Sequence, residues 1–498
     1  MSYSLNKQTR PKHLLPYTFA KTYKVIAIPT IEEQVKIYHE QALALETLME
    51  IKRLITQPLY FEQVNANQFQ QHLSHYYQTE SSVDDVAQTM HHELDLSLLA
   101  EQLPTGEDLL DRSNDAPVIK LINALFSQAI NQQASDIHIE TYESQVLVRN
   151  RIDGVLHQVL EIQRAIAPLV VSRIKVMAQL DIAEKRTPQD GRIALRVGGH
   201  SIDVRVSTLP SSHGERIVLR ILDKHSTQLN LHHLHLPDTI LDLLIKMIRQ
   251  PHGIILVTGP TGSGKTTSLY AMLTELNEVS RNILTIEDPI EYDLPGIGQT
   301  QVNPKIQMTF AKGLRAILRQ DPDVVMIGEI RDKETADIAV QSSLTGHLVL
   351  STLHTNTALG AITRLKDMGI ESFLLSSSIV GLIAQRLVRK LCDKCKTPYH
   401  PNEDEVAFMQ LNLTDKIPQI YAPHGCEACN QHGYSGRIGI YEVILMDEPL
   451  RQMIYRNDSL DKLEAYLRPE VASIRENGFT RVLAGQTSVT EILRVTSQ

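Results

Sequence analysis

The sequence predicts an α/β protein built on a phosphate-binding core, with two smaller α+β regions ahead of it, and three observations predict this class. A short apolar run, Gly253-Ile254-Ile255-Leu256-Val257-Thr258, passes directly into Gly259-Pro260-Thr261-Gly262-Ser263-Gly264-Lys265-Thr266 and then into a helical stretch. Three apolar runs further on each end in residues able to do chemistry, as parallel strands do at their carboxyl ends. The chain has 498 residues, too many for one core and enough for three or four domains of roughly 100 to 200 residues.

Taken in order, residues 1–92 read as a small α+β domain, with an apolar start at Tyr23–Ile28 and a helical stretch over Ile31–Ile55. Residues 93–115 carry seven acidic side chains against one Arg and read as a flexible acidic linker. A second α+β domain occupies 116–228. Asp115 and Pro117 mark a helix start, and Val118, Ile122, Leu125, Phe126 and Ala129 fall on one helical face. Strands follow, in which Ile137 and Ile139 alternate with Asp136, His138 and Glu140. Ile202, Val204 and Val206 alternate with Asp203, Arg205 and Ser207, which puts Arg205 on a polar face. The His- and Leu-rich stretch 229–240 is expected to be a linker, and 241–498 to be the core, with a cysteine-bearing insert at 390–432 and helices at the C-terminus.

Composition narrows the function. Hydrophobic residues at 42% and charged residues at 21% are those of a folded globular protein. A net charge of -9 and a pI near 6.1 give no global attraction to nucleic acid or to an anionic membrane. Trp is absent and aromatics total 5%, so base-stacking platforms are scarce. The first residues lack the apolar run of a signal peptide, and no stretch is apolar enough to span a bilayer, so a cytosolic protein is expected, with membrane contact only through partners.

The segment from Gly259 to Thr266 is a P-loop. Its glycines let backbone N–H groups turn inward to cradle phosphates, Lys265 neutralises the terminal oxygens, and the Thr266 hydroxyl is placed for Mg²⁺. Thr267 extends the cradle into the helix. The first downstream strand ends in Glu287-Asp288-Pro289-Ile290-Glu291, gathering carboxylates where Mg²⁺ or an attacking water would sit. The second, Val324–Ile327, ends in Gly328-Glu329, a Walker B form with Glu at its tip. The third is flanked by His347 and His354, which are candidates to sense a terminal phosphate. Which of Glu287, Glu291 and Glu329 serves as the base stays open. Phosphoryl transfer also needs further cations, and the candidates are Arg315, Arg319 and Arg331 in the core and Arg192, Arg205, Arg216 and Arg220 before it.

All four cysteines belong to two Cys-x-x-Cys pairs, Cys392/Cys395 and Cys426/Cys429, thirty residues apart. In a reducing compartment such pairs form a closed Cys₄ zinc site of structural kind, with a redox dithiol as the alternative.

These features together resemble the secretion ATPases of the type II secretion and type IV pilus systems. The resemblance runs nearly end to end, through Ala134-Ser135-Asp136-Ile137-His138-Ile139-Glu140, Pro188-Gln189-Asp190-Gly191-Arg192 and Ser211-Ser212-His213-Gly214-Glu215-Arg216. It continues through Leu318-Arg319-Gln320-Asp321-Pro322-Asp323 and Leu344-Thr345-Gly346-His347. It implies a RecA-like core using ATP and Mg²⁺, a PAS-like domain that lends Arg205 and Arg220 to the nucleotide, and a six-membered ring. It also implies docking of the first domain on the cytoplasmic part of the inner-membrane L protein, contact with the inner-membrane platform protein, and a place on the cytoplasmic face of the inner membrane. The implied work is pseudopilus assembly for export of folded proteins, with type IV pilus assembly as the alternative. Pilus retraction ATPases lack the first domain and the tetracysteine insert.

Overall fold

The computed structural model describes residues 15, 23–29, 35–40, 43, 45–55, 57–65, 69, 115–197, 200–223, 230–411 and 418–497. They divide into two compact units: one holds the described residues up to 223 apart from Asp153–Val155, and the other holds Asp153–Val155 with the described residues from 230 onward. The acidic segment expected as a linker lies outside the described residues except for Asp115.

The first unit opens with strands β1 (Val25–Pro29) and β2 (Val35–His39), helix α1 (Leu45–Leu54) and strand β3 (Leu59–Gln63). β2 pairs antiparallel with β1 and parallel with β3. Val25, Ala27, Val35, Ile37 and Ile51 form a small core. The helix expected over Ile31–Ile55 is corrected: a strand precedes it. Val35 and Ile37 are buried and Lys36 between them is exposed, a period of two that β-branched residues satisfy in a strand.

Helix α2 (Asp115–Asn131) leads into strands β4 (Asp136–Thr141), β5 (Gln145–Ile152) and β6 (Val155–Gln163), helix α3 (Ala167–Met177), and strands β7 (Gln189–Val197), β8 (His200–Ser211) and β9 (Gly214–Asp223). The strands form one sheet in the order β6-β5-β4-β9-β8-β7, the PAS-like α+β domain. The predicted apolar face of α2 is buried with Ile137, Ile139, Val204 and Val206. The polar residues of β4 are not solvated, because arginines of neighbouring strands cover them. Arg149 donates to Glu140 at 2.7 Å, Arg216 joins the same carboxylate, and Arg220 Nε lies 3.0 Å from Asp136.

The second unit begins with α4 (Asp238–Ile248), β10 (Gly253–Thr258), α5 (Lys265–Leu276), β11 (Ile283–Glu287), β12 (Gly298–Gln301), α6 (Phe310–Ile317) and β13 (Val324–Ile327). It continues with α7 (Lys333–Leu344), β14 (Leu348–Leu353), α8 (Gly360–Asp367), α9 (Ser372–Ser378) and the long strand β15 (Ile379–Leu391). A seven-stranded sheet has the order β12-β11-β13-β14-β10-β15-β18. Its strands run parallel except β18 (Tyr434–Leu445), which returns antiparallel to β15. Between β15 and β18 lie β16 (Thr397–Tyr399), α10 (Glu403–Phe408) and β17 (Ile420–Ala422); α11 (Glu448–Tyr455), α12 (Leu460–Leu467), α13 (Ile474–Leu483) and α14 (Val489–Thr496) close the chain.

All six residues of β10 are buried, so both faces of the sheet are covered, as a continuous apolar run requires. Ile254 and Leu256 join the cluster under the C-terminal helices; Ile255 and Val257 join the one under α4 and α5. The expected linker 229–240 is corrected. Leu231 is buried, Leu234 and Leu236 pack on the same cluster, and α4 starts at Asp238, because these leucines have apolar surface to bury on α4 and α5. Among the described residues no helix is long and apolar enough to cross a membrane.

Candidate active site and cysteine centre

Register brings the predicted chemistry to one edge of the sheet. Thr258 lies opposite Leu353, Ile327 opposite Ser351, and Ile286 opposite Ile327. The residues after β10, β11, β13 and β14 therefore emerge together: the P-loop, Glu287 with the turn to Glu291, Gly328-Glu329 and His354.

The loop holds its shape by close contact with β15. Gly259 and Gly264 have φ of 147° and 85°. A Cβ at Gly259 would collide with the Gln385 carbonyl, and one at Gly264 would stand 2.8 Å from Gln385 Nε2, so only glycine fits. Lys265 opens α5 and is buried. Its Nζ donates to the carbonyls of Gly259 at 2.7 Å and Pro260 at 3.1 Å. Burial lowers its pKa, and the charge of Glu329 works against that shift. Thr266 and Thr267 are exposed on the first turn of α5, beside Thr261 and Gly262 in the loop, while Ser263 is buried.

Glu329 follows the tip of β13. Arg331 bonds its Oε1, and His354 Nε2 lies 3.4 Å from its Oε2. The hydroxyls of Ser351 and Thr352 hold the preceding carbonyls of Ile327 and Gly328 at 2.9 and 2.7 Å. One carboxylate thus faces Arg331, His354 and, electrostatically, Lys265.

Glu287 is different. It is buried, and its oxygens accept from Tyr270, from Thr285 at 2.6 Å and from Gln299 at 3.1 Å. Burial drives the Tyr270 hydroxyl far above its usual pKa, with Glu287 adding to the shift, so Tyr270 is a fixed donor. The same hydroxyl accepts the Glu291 N–H at 3.2 Å, which ties α5 to the acidic turn. Sequence reasoning missed Tyr270, Gln299 and Gln385, because only tertiary contact reveals them.

The two histidines do not come together. His347 stands at the entry of β14, its N–H and Nδ1 near the Ser342 carbonyl at 3.3 and 3.0 Å. His354 stands at the exit, and a six-residue strand between them spans roughly 20 Å. Within one chain only His354 is at the P-loop edge. Arg315 pairs with Glu334 at 2.7 Å and Arg319 donates to the Arg315 carbonyl at 2.9 Å.

In the first unit, Arg192, Arg205, Arg220, Asp136 and Arg151 are successive cross-strand partners. Directly opposed residues share a face of the sheet, so one row carries four guanidiniums and a single carboxylate. Arg205 and Arg220 are adjacent in it.

The four cysteines converge. Their Sγ atoms all lie within 4.8 Å of one another, with Cys392–Cys426 at 3.9 Å, Cys395–Cys429 at 3.7 Å and Cys426–Cys429 at 3.8 Å. Sulfurs bound to zinc at about 2.3 Å in a tetrahedron are about 3.8 Å apart, so the array has the dimensions of a Cys₄ zinc shell. Backbone N–H groups of Gly425, Cys426 and Gly433 point at Cys395 and Cys429 Sγ from 3.2 to 3.3 Å, the outer-layer donors that favour thiolates.

Residues 111–494 match the family model described as type II/IV secretion system protein, and residues 14–77 match the model of an N-terminal domain of GSPII protein E. The chain is 55% identical over 489 residues to the type II secretion system protein E of Pseudomonas aeruginosa, covering 98% of this chain and 97% of that one. It is 52% identical over 490 residues to the type II secretion system ATPase E of Vibrio cholerae, covering 97% of each. Among solved structures it resembles the pilus retraction motor PilT with bound ADP, at a TM-score of 0.51 and 27% identity over 76% of this chain and 97% of that one. It shares its fold with the Legionella pneumophila ATPase DotB, at a TM-score of 0.56 and 22% identity, over 76% of this chain and 95% of that one.

Proposed function

The chain belongs to the type II secretion system protein E family, whose members include ATPases, and we propose that it hydrolyses ATP on the cytoplasmic face of the bacterial inner membrane to drive pseudopilus assembly and export of folded proteins. The observation that carries the ATPase reading is the placement of Glu329 at the P-loop edge of the sheet, between His354 and Arg331 and within the field of Lys265. Lys265 leaves the loop carbonyls for the terminal phosphates, and the loop N–H groups hold the others. The Thr266 hydroxyl and Glu329 would hold Mg²⁺, which would supply charge neutralisation. Glu329 orients the attacking water and His354 reads the terminal phosphate. A group that works on the attacking water must reach it; Glu287 is buried among hydroxyl and amide donors whereas Glu329 is only half-buried, so Glu287 sets the acidic turn that presents Glu291. Arg205 and Arg220 add positive charge to the nucleotide as the ring turns over. Cys392, Cys395, Cys426 and Cys429 would hold zinc as a structural site, because a closed S₄ shell leaves no position for substrate.

Six chains form the ring, and residues 1–92 dock on the cytoplasmic part of the inner-membrane L protein, with the platform protein as a second contact. The match of residues 14–77 to the N-terminal domain model of GSPII protein E supports this assignment. Lys265→Ala should abolish ATP binding and turnover, whereas Glu329→Gln should bind ATP normally and lose hydrolysis about 10²-fold or more. Steady-state ATPase assays with a nucleotide-binding measurement decide this, and a Glu329→Gln enzyme turning over at the wild-type rate removes Glu329 from catalysis. Capture of the L protein's cytoplasmic domain by the full chain, but not by a chain starting at residue 93, tests the docking role.

A further inference from the structure

The P-loop rests on a hairpin whose polar side chains the proposed mechanism does not use. Gln385 is 1% exposed in the middle of β15, one residue beyond the register pair Thr258–Ala384 that joins β15 to the strand entering the loop. Its Oε1 accepts from Ser268 Oγ at 2.7 Å. Its carbonyl faces the Cβ position of Gly259, and its Nε2 faces that of Gly264. Ser268 is one turn into α5, and its N–H donates to the Gly264 carbonyl at 3.0 Å. Tyr441, 3% exposed on the neighbouring β18, is the cross-strand partner of Gln385.

A buried amide in an otherwise apolar layer costs stability unless it is bonded, and once bonded it selects one geometry over its neighbours. An apolar side chain would fill this space equally well, so the amide's distinguishing property is the geometry it imposes. The part whose geometry matters here is the turn Gly264-Lys265, where backbone donors must meet phosphate oxygens to within about 0.5 Å.

We propose that Gln385 is a positioning residue for the nucleotide, setting the height of the P-loop and the start of α5 through Ser268. The proposal rests on the reading of Gly259–Thr266 as the phosphate cradle. Gln385 does not touch the reacting atoms; it holds the groups that do.

The test compares full-length wild type, Gln385→Met, Ser268→Ala and the double variant. Met keeps the volume and removes the amide. A fluorescent ATP analogue gives Kd, and steady-state assays give kcat. Each single variant should raise Kd about five- to tenfold, with kcat at saturating ATP within about twofold of wild type. The double variant should bind no more weakly than the worse single one, because both remove one shared contact. A Kd within twofold of wild type in Gln385→Met, or fully additive losses in the double variant, overturns the proposal. A fall in apo-protein melting temperature with Kd unchanged also overturns it, as the residue would then serve packing alone. If Gln385→Met does not fold, Ser268→Ala decides by the same Kd criterion. Failure of wild type to bind the analogue would refute the phosphate-cradle reading instead, which keeps the two failures apart.

Discussion

At the scale of single residues, the acidic cluster separates into roles that its sequence left open. Glu287 and Glu329 both lie at the ends of apolar strands, but Glu287 turns into a buried set of hydroxyl and amide donors and Glu329 toward Arg331 and His354. The difference lies in Tyr270, five positions after Lys265 on α5, which reaches across to β11. Tyr270→Phe removes one donor from a buried carboxylate and one acceptor from the Glu291 N–H. It should cost about 1 to 3 kcal/mol of stability, and a thermal melt of the full chain should show a drop of several degrees. It should also lower turnover by loosening the acidic turn. A variant with wild-type melting temperature and turnover would mean that Glu287 needs no such anchor.

Among elements, what could be read from the sequence was what is local. The strand-loop-helix at 253–276 and the paired Cys-x-x-Cys motifs were legible because backbone conformation and ligand spacing are set within a few residues. The strand over Val35–His39 was lost in a helix-rich stretch, and Leu231 to Leu236 looked like a linker because the surface they bury on is distant in sequence. Alternation placed Arg205 on a polar face, yet its alignment with Arg192 and Arg220 is a matter of register, which no single strand encodes. The C-terminal helix α14 shows the same point energetically. Glu491 on it is buried and bonds Arg389 of β15 at 2.8 Å and Arg494 at 2.6 Å, and Arg389 lies over the Tyr434 ring at 4.1 Å. Burial alone would raise the Glu491 pKa, but the bonds from Arg494 and Arg389 outweigh it and bring it from 4.5 to about 2. A depressed carboxyl pKa stabilises the fold fully above the unfolded value and loses that contribution as pH falls through the folded one. Glu491→Gln should therefore cost about 3 kcal/mol near neutral pH, and the gap between variant and wild type in denaturant unfolding should narrow as pH drops from 4.5 toward 2. A gap that stays constant over that range would show that the charge is not what α14 depends on.

For the molecule as a whole, the cysteine centre closes one end of the hairpin on whose middle the phosphate cradle rests. β15 carries Gln385 beneath the P-loop and ends at Leu391, immediately before Cys392, while β18 begins at Tyr434, five residues after Cys429, and carries Tyr441 opposite Gln385. Leu391 and Tyr434 are register partners, so closure of the four cysteines around a zinc ion would fix the open end of the two longest strands under the loop. Metal release would free that end without touching any residue near the nucleotide. The protein purified without chelator should contain about one zinc per chain. Stripping it with a strong chelator under reducing conditions should weaken ATP binding several-fold, and restoring zinc should reverse the loss. The same treatment of Gln385→Met should add little, because the link from hairpin to loop is already cut. Equal weakening in wild type and Gln385→Met would show that the metal reaches the nucleotide by another route, and unchanged affinity in stripped wild type would confine the cysteine centre to local folding.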